Sequence, residues 1–366
     1  MRDILPDVVR WQKEGKSIAL ATVIQTWGSS PRRAGSQMGI ASDGQFSGSV
    51  SGGCVETAVI EAGLESLKTN RPGLLHFGVT DETAWRVGLA CGGSIDVFVK
   101  PVDKNFLQNV SAVIAAEEAA VIIIVVRGPE PLLGRELLYR ENAHLRGTLG
   151  RDWDKKILEL AQEALSQGIS KRALLDEEVE VFLDVLLPPP TLIVVGGVHI
   201  SIALLSLAKA LGYRTVLIDP RKAWGNAERF SHVDRLIQAW PEDAFQQIDV
   251  TRATAIVMLT HDPKLDDPAL KIALNSPAFY VGALGSKSTN ARRRKRLLDS
   301  GMSELQWSRL HAPIGLDIGA QTPEEIALAI MAEVVETHRK RDQGAAARET
   351  QIVTGHAVKK FHEAYS

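Results

Sequence analysis

The 366-residue sequence has two thiols, Cys54 and Cys91, and each adjoins a glycine pair: Ser51-Gly52-Gly53-Cys54 and Cys91-Gly92-Gly93. Glycine pairs reach positive φ and let a bulky group approach the main chain. Both thiols are therefore expected against bare backbone. Cys54 precedes apolar residues at helical spacing from Val55 to Leu67, which puts it in the first turn of a helix. Unpaired N–H groups and the positive end of the dipole at such a place favour thiolate over thiol, making Cys54 the better nucleophile or soft ligand. Cys91 reads equally well as a small buried hydrophobe. So few cysteines argue against a structural disulfide and point to a reducing compartment. Neither thiol has the spacing of a zinc site.

A second group able to do chemistry is the loop Gly28-Ser29-Ser30-Pro31-Arg32-Arg33-Ala34-Gly35, whose adjacent guanidinium groups can clasp a phosphate bidentately. Three more candidates follow in the second half: Gly196-Gly197-Val198-His199, Thr260-His261-Asp262 and Gly282-Ala283-Leu284-Gly285-Ser286. The last opens a helix rich in Arg and Lys, from Lys287 to Arg296. Such a place suits a phosphate, the plainer reading being a solvated basic helix face. Asp219 follows Gly196 at about the 20-residue spacing of a ribose-binding acid. The fingerprint G-x-G-x-x-G is incomplete, because Val198 and Ser201 hold its second and third glycine positions. His199 and His261 are candidates for metal ligands or an acid/base pair, and equally for ordinary polar residues.

The elements that must carry these groups fall into two patterns. Strands at Ser17–Ile24 and Ser94–Lys100, a hairpin at Asp43-Gly44 and the Cys54 helix form the first. The order then recurs without the chemistry. The strand Ala120–Val126, the run Glu141–Leu149 that echoes Asp43–Val50, a helix around Asp154–Ser166 and the strand Val179–Leu183 repeat the first set. Residues 1–187 are thus expected to be an α/β domain built on a degenerate internal duplication, with function in the first copy and scaffold in the second. Pro188-Pro189-Pro190 is a stiff linker. Beyond it, residues 191–340 alternate apolar strands (Thr191–Val195, Thr215–Asp219, Ala255–Thr260, Ala278–Val281) with helices, the pattern of a Rossmann-like doubly wound parallel sheet. A helix from Pro323 to about Arg339 closes it, and residues 341–366 read as a charged tail.

Composition excludes some classes. Hydrophobic residues make up 45% and charged residues 23%, as in globular proteins, and a net charge of −2 gives no support to nucleic-acid or membrane binding. No secretory signal or spanning segment is visible, so a cytoplasmic location is expected.

Taken together these motifs resemble the xanthine dehydrogenase accessory protein family, XdhC/CoxI. The resemblance is carried by Gly28 to Met38, Gly48 to Glu56 and Cys91-Gly92-Gly93. It continues in Asp219-Pro220-Arg221, Thr260-His261-Asp262, Tyr280 to Ser286 and His311 to Ala320. It implies a maturation factor, more a non-catalytic accessory protein than an enzyme, that binds molybdenum cofactor (molybdopterin). Such a factor works with a cysteine desulfurase that exchanges an oxo ligand for sulfur, and hands the cofactor to an apo-molybdoenzyme of the xanthine dehydrogenase or carbon monoxide dehydrogenase type. The implied contacts are Arg32 and Arg33 to phosphate, N–H groups of Gly52 and Gly53, and Cys54 as soft ligand to molybdenum or as a sulfur relay. Cys91, Gly92 and Gly93 join them. The family usually has Gly-Ala-Gly-His where this chain has Gly196-Gly197-Val198-His199, which argues against NAD(P) or another nucleotide there. Two other readings stay open: an NAD(P)-dependent oxidoreductase using His199 or His261, and a thiol-redox protein cycling Cys54 and Cys91. A homodimer is expected from the prevalence of two-fold assemblies.

Overall fold

The computed structural model describes residues 1–28, 32–78, 93–141 and 145–340. Cys91, Gly92, Ser29 and Pro31, the tail from 341 and residues 142–144 of the expected echo lie outside the described residues. The chain divides into two compact units, Met1–Pro188 and Pro189 onward, within the proline triplet.

In the first unit, strands β1 (Ile18–Trp27), β2 (Gln37–Ala41), β3 (Phe46–Gly48), β4 (Gly73–Phe77) and β5 (Ser94–Pro101) form a sheet of order β3-β2-β1-β5-β4. A second sheet, β7-β6-β9-β8, uses β6 (Ala120–Arg127), β7 (Glu136–Arg140), β8 (Lys171–Leu174) and β9 (Glu180–Leu186). The paired strands within each sheet are antiparallel. β6 from Ala120 to Val126 and β1 from Ile18 to Ile24 are buried at every position and almost wholly apolar because both faces are covered there. Ala19, Ala21 and Val23 pack under helix α2 (Glu56–Thr69), and Val121, Ile123 and Val125 under helix α4 (Arg151–Gln167). Between the sheets, Ile24 and Phe98 of the first meet Ile122, Ile124 and Phe182 of the second. Helix α1 (Leu5–Lys13) seals one side with Ile4, Val8 and Trp11, and helix α3 (Lys104–Ala115), not expected from the sequence, links the copies.

The copies correspond residue by residue. The register of β1 on β5 shifts between Val23 and Gln25, and that of β6 on β9 between Val125 and Arg127. Gly35 donates its N–H to Val23, and Gly134 donates its own to Val125. A Cβ on Gly48 would strike the carbonyl of Gln37, and one on Gly147 would press on the carbonyl of Glu136. The expected echo of Gly48-Ser49-Val50 in Gly147-Thr148-Leu149 is thus a structural equivalence.

The second unit is a parallel sheet of order β12-β11-β10-β13-β14-β15. Its strands are β10 (Thr191–Val195), β11 (Arg214–Ile218), β12 (Arg235–Ile237), β13 (Thr254–Met258), β14 (Tyr280–Ala283) and β15 (Leu310–His311). Helix α5 (His199–Ala210) and the helix over residues 323–340 cover one face, and helices α6 (Pro241–Phe245) and α7 (Pro263–Asn275) cover the other. Strand order reverses between β10 and β13, where doubly wound sheets open a crevice for ligands. Among the described residues no helix is long and apolar enough to cross a membrane.

Candidate functional site

Cys54 is half-buried and packs at the margin of the core under α2. It stands just ahead of the helix, whose N-cap is Val55, and not within the first turn as expected. The residue that shapes its loop is Glu56. One carboxylate oxygen accepts the N–H groups of Ser51 (2.9 Å) and Gly52 (3.0 Å) and the hydroxyl of Ser49 (2.7 Å); the other accepts the N–H of Gly53 (2.8 Å) and the hydroxyl of Ser51 (2.6 Å). The Ser51 hydroxyl in turn accepts the N–H of Cys54 at 3.0 Å. Burial alone would raise the Glu56 carboxyl, but the hydroxyls of Ser51 and Ser49 and the Ser51 N–H hold it down at about 2.

The donors expected to face a ligand at Gly52 and Gly53 are therefore turned inward onto Glu56. What the glycines offer outward is bare backbone. They take φ of 90° and 127°, and a Cβ on Gly53 would meet none of the described residues within 4 Å. The second copy keeps the frame: the Thr148 hydroxyl and the Leu149 N–H donate to Asp154, the counterpart of Glu56. It lacks the content: the loop is one residue shorter, and Arg151, Asp152 and Trp153 fill the stretch that Gly52, Gly53, Cys54 and Val55 fill in the first copy, with neither a glycine pair nor a thiol.

Antiparallel pairing gathers the candidate loops at one end of the first sheet. Trp27 pairs with Ser94, Ile95 with Phe77, Thr22 with Gln37 and Met38 with Gly48. The connections 28–36, 49–55 and 78–93 thus all leave from that end. Gly28, Arg32 and Arg33 are exposed there, and Gly93 is buried. Gly35 lies so close to the second copy that a Cβ on it would come within 2.9 Å of Asp184 Oδ1, a packing demand that fixes the base of the arginine loop.

Sequence reasoning missed a polar chain at the same end. His76 Nδ1 lies 2.7 Å from Asp96 Oδ1, and Arg172 of the second copy donates to Asp96 Oδ2 (2.9 Å) and to Gln25 Oε1 (2.8 Å). The one visible signal was a polar residue, Asp96, inside an otherwise apolar strand.

In the second unit, Gly196, Gly197 and Asp219 meet at the strand ends. Gly196 has φ 110°, where a Cβ would collide with Thr260. Asp219 is buried and accepts four hydrogen bonds within the protein: from the Gly197 N–H at 2.7 Å, the Arg221 N–H, and Arg221 Nε and Nη2. Burial opposes its charge, but these donors outweigh burial and hold the carboxyl below the usual range. All four acceptor positions of a carboxylate are thereby filled. The Gly197 carbonyl is tied down by Arg229 (2.7 Å), which also grips the Trp224 carbonyl, and a Cβ on Gly197 would strike that same carbonyl at 2.7 Å. In this arrangement Asp219 and the glycine turn hold each other.

The remaining candidates do not form one cluster of side chains. His199 is exposed and loosely faces Glu324 at 3.9 Å. His261 is exposed, Asp262 caps α7 through the Lys264 N–H, and Ser286 caps helix α8 (Lys287–Asp299) through the Thr289 N–H. Gly282 answers a packing need, since a Cβ would meet Ile314 at 2.5 Å, while Gly285 takes φ 146° beside Thr289. Much of the basic run is engaged internally: Arg293 is buried against Asp266 (2.8 Å), Arg296 pairs with Asp267 and Arg294 with Glu304. Among the described residues no group of three His, Cys, Asp or Glu could hold a metal ion.

A Rossmann-type unit carried with a duplicated sheet unit that bears the Cys54 loop defines a class of two-domain proteins. Residues 11–78 match the XdhC and CoxI family and residues 192–334 the XdhC Rossmann domain. The chain belongs to the XdhC and CoxI family. It is 27% identical to a protein of Bacillus subtilis (strain 168) described as a probable xanthine dehydrogenase subunit, over 90% of this chain and 95% of that protein. It is 28% identical to the molybdenum cofactor insertion chaperone PaoD of Escherichia coli (strain K12), over 93% of this chain and 90% of that one. A crystal structure described as a xanthine dehydrogenase from Bacillus halodurans superposes with a TM-score of 0.74 at 25% identity, covering 92% of this chain and 96% of that one.

Proposed function

We propose that the chain is a carrier of molybdenum cofactor, taking the anionic metallopterin as cargo on its first unit and delivering it to an apo-molybdoenzyme of the xanthine dehydrogenase type. The likeness to a cofactor insertion chaperone along nearly the whole chain supports the reading. The observation that carries it is topological: the arginine loop, the Cys54 loop and the connection ending in Gly93 leave one end of one sheet.

In this reading Arg32 and Arg33 hold the phosphate of the cargo. Cys54 presents its sulfur over the open backbone of Gly52 and Gly53, as a soft contact to molybdenum or as the acceptor of sulfur from a cysteine desulfurase. Cys91, Gly92 and Gly93 are assigned to the same cargo by the family resemblance. Glu56 keeps the Cys54 turn in shape and repels anions from the inner side of the loop. The second unit serves as a docking or two-fold dimer surface, with Gly196, His199, Asp219, His261, Asp262, Gly282, Gly285 and Ser286 at its crevice. Engagement of Asp219 and Gly197 by Arg221 and Arg229 weighs against an NAD(P)-dependent oxidoreductase. The low cysteine count fits action in the reducing cytoplasm.

The test is equilibration of the purified protein with molybdenum cofactor, followed by co-elution. Wild type carries cofactor through the column, and the Cys54→Ala, Arg32→Ala double variant does not. Equal retention by both proteins would refute the site.

A further inference from the structure

We infer that the last two rungs of the first sheet, on the face turned away from α2, form a seat for the pterin ring system of the cargo. Trp27 is its stacking surface and His76 its hydrogen-bonding edge. The inference rests on the carrier reading above and names the part of the ligand that the thiol and arginine loops do not address.

Alternation along the strands sets the faces. Leu75, Phe77, Ile95 and Val97 point into the core under α2, so His76 and Asp96 point to the other side. There His76 pairs directly with Asp96, and Asp96 with Gln25. Trp27, two residues beyond Gln25, occupies the terminal rung opposite Ser94. Its ring stands 6.1 Å from that of His76 at 65°, and it is 44% exposed although it adjoins a packed sheet. An open indole face at the end of a sheet suits a flat heterocycle.

The imidazole is held in one orientation. Asp96 accepts from His76 Nδ1–H, which leaves Nε2 as an acceptor on a side chain that is 56% exposed. Asp96 is fixed from behind by Arg172, itself anchored on Glu180 through Nε (2.8 Å) and Nη2 (2.6 Å). Pterins carry ring N–H and amino donors that such an acceptor can meet. The second copy thus contributes Arg172 to the functional end of the first, as a positioning residue.

The fold itself does not require this cluster. By the register of the second sheet, Pro129 and Leu174 stand where Trp27 and His76 stand in the first, and Leu74 occupies the counterpart of Arg172. The same architecture forms there without an aromatic or imidazole ring, and Arg127, at the counterpart of Gln25, pairs with Glu180, at the counterpart of Asp96. A cargo reaching both Cys54 and Trp27 would lie across the sheet end, its sulfur-bound metal on one side and its ring on the other.

The experiment measures binding of two probes to the full chain: pterin-6-carboxylate, which lacks metal, and molybdenum cofactor released from a purified molybdoenzyme. Wild type binds both. Trp27→Ala and His76→Ala each weaken pterin-6-carboxylate by about tenfold, the scale of one lost stacking or hydrogen-bonding contact. Trp27→Phe restores most of the affinity, and Leu174→Ala, at the matching place in the second copy, changes nothing. Arg172→Leu weakens the probe less and moves the NMR signals of the His76 ring, which a remote packing defect would not do. Wild-type affinity in Trp27→Ala and His76→Ala, or an equal loss in Leu174→Ala, overturns the seat while leaving the carrier reading intact. If wild type takes up neither probe, both readings fall.

Discussion

Gln37 Nε2 donates to Asp184 Oδ2 at 2.9 Å, joining the first sheet of one repeat to the last strand of the other. The contact is reciprocal, because Lys100 and Glu136, at the corresponding positions of the opposite copies, pair at 2.9 Å. The two copies therefore close on each other like a two-fold dimer held in one chain. On the side of the first copy the buried carboxylate of Asp184 lies under Gly35 and so supports the arginine loop.

Burial raises the Asp184 carboxyl above its ordinary range. A folded state that holds the proton more tightly than the unfolded chain loses stability as pH rises from the unfolded value of about 3.9 through the folded one. Asp184→Asn removes that part of the slope. Denaturation midpoints measured from pH 4 to pH 8 should fall less with pH in the variant than in wild type, and parallel curves would contradict the assignment.

Glu56 has the opposite sign. Its carboxyl is held down at about 2, so its stabilising contribution is full above about 4.5 and is lost as pH falls toward 2. Glu56→Gln should lower stability at pH 7, flatten the acid limb between pH 4.5 and 2, and speed alkylation at Cys54 as the turn loosens. Mass spectrometry of the Cys54 peptide after brief iodoacetamide treatment checks the last point. Alkylation no faster than in wild type would show that Glu56 does not hold the turn.

In the second unit, Asp266 and Arg293 form a buried ion pair at the strand ends, with Thr260 donating to Asp266 at 2.5 Å. Burial lifts the Asp266 carboxyl to about 6, against the pull of Thr260 and Arg293. Removing one partner strands the other charge, and Arg293→Met alone should destabilise by about 3–5 kcal/mol. Asp266→Leu with Arg293→Met should recover much of that loss. A double variant as unstable as the sum of the singles would deny the coupling.

The second unit was largely legible because buried parallel strands are continuous apolar runs between glycine turns, and Thr191–Val195 has the same bounds in sequence and structure. The duplication was legible for a similar reason: Gly147-Thr148-Leu149 keeps the residue types that the Gly48 turn needs. Edge strand Gly73–Phe77 was not, since its adjacent leucines break alternation. Helix Lys104–Ala115 had a readable signal in Asp103, whose side chain caps it, and in Leu107, Val110 and Val113 at helical spacing. The inward turn of the Gly52 and Gly53 N–H groups depends on two positive-φ residues folding the chain back onto Glu56, which no spacing rule encodes. His76 and Asp96 meet only through strand register, twenty residues apart, and Arg172 comes from the other copy.

The central claim is that this chain carries a metallopterin, and mass spectrometry of the small molecule that co-purifies with it under anaerobic conditions tests that most directly. The account predicts molybdopterin, with molybdenum detected in the same fraction and lost from the Cys54→Ala, Arg32→Ala double variant. Stoichiometric NAD(P) with no pterin, from cells whose molybdoenzymes yield pterin in parallel, would contradict it.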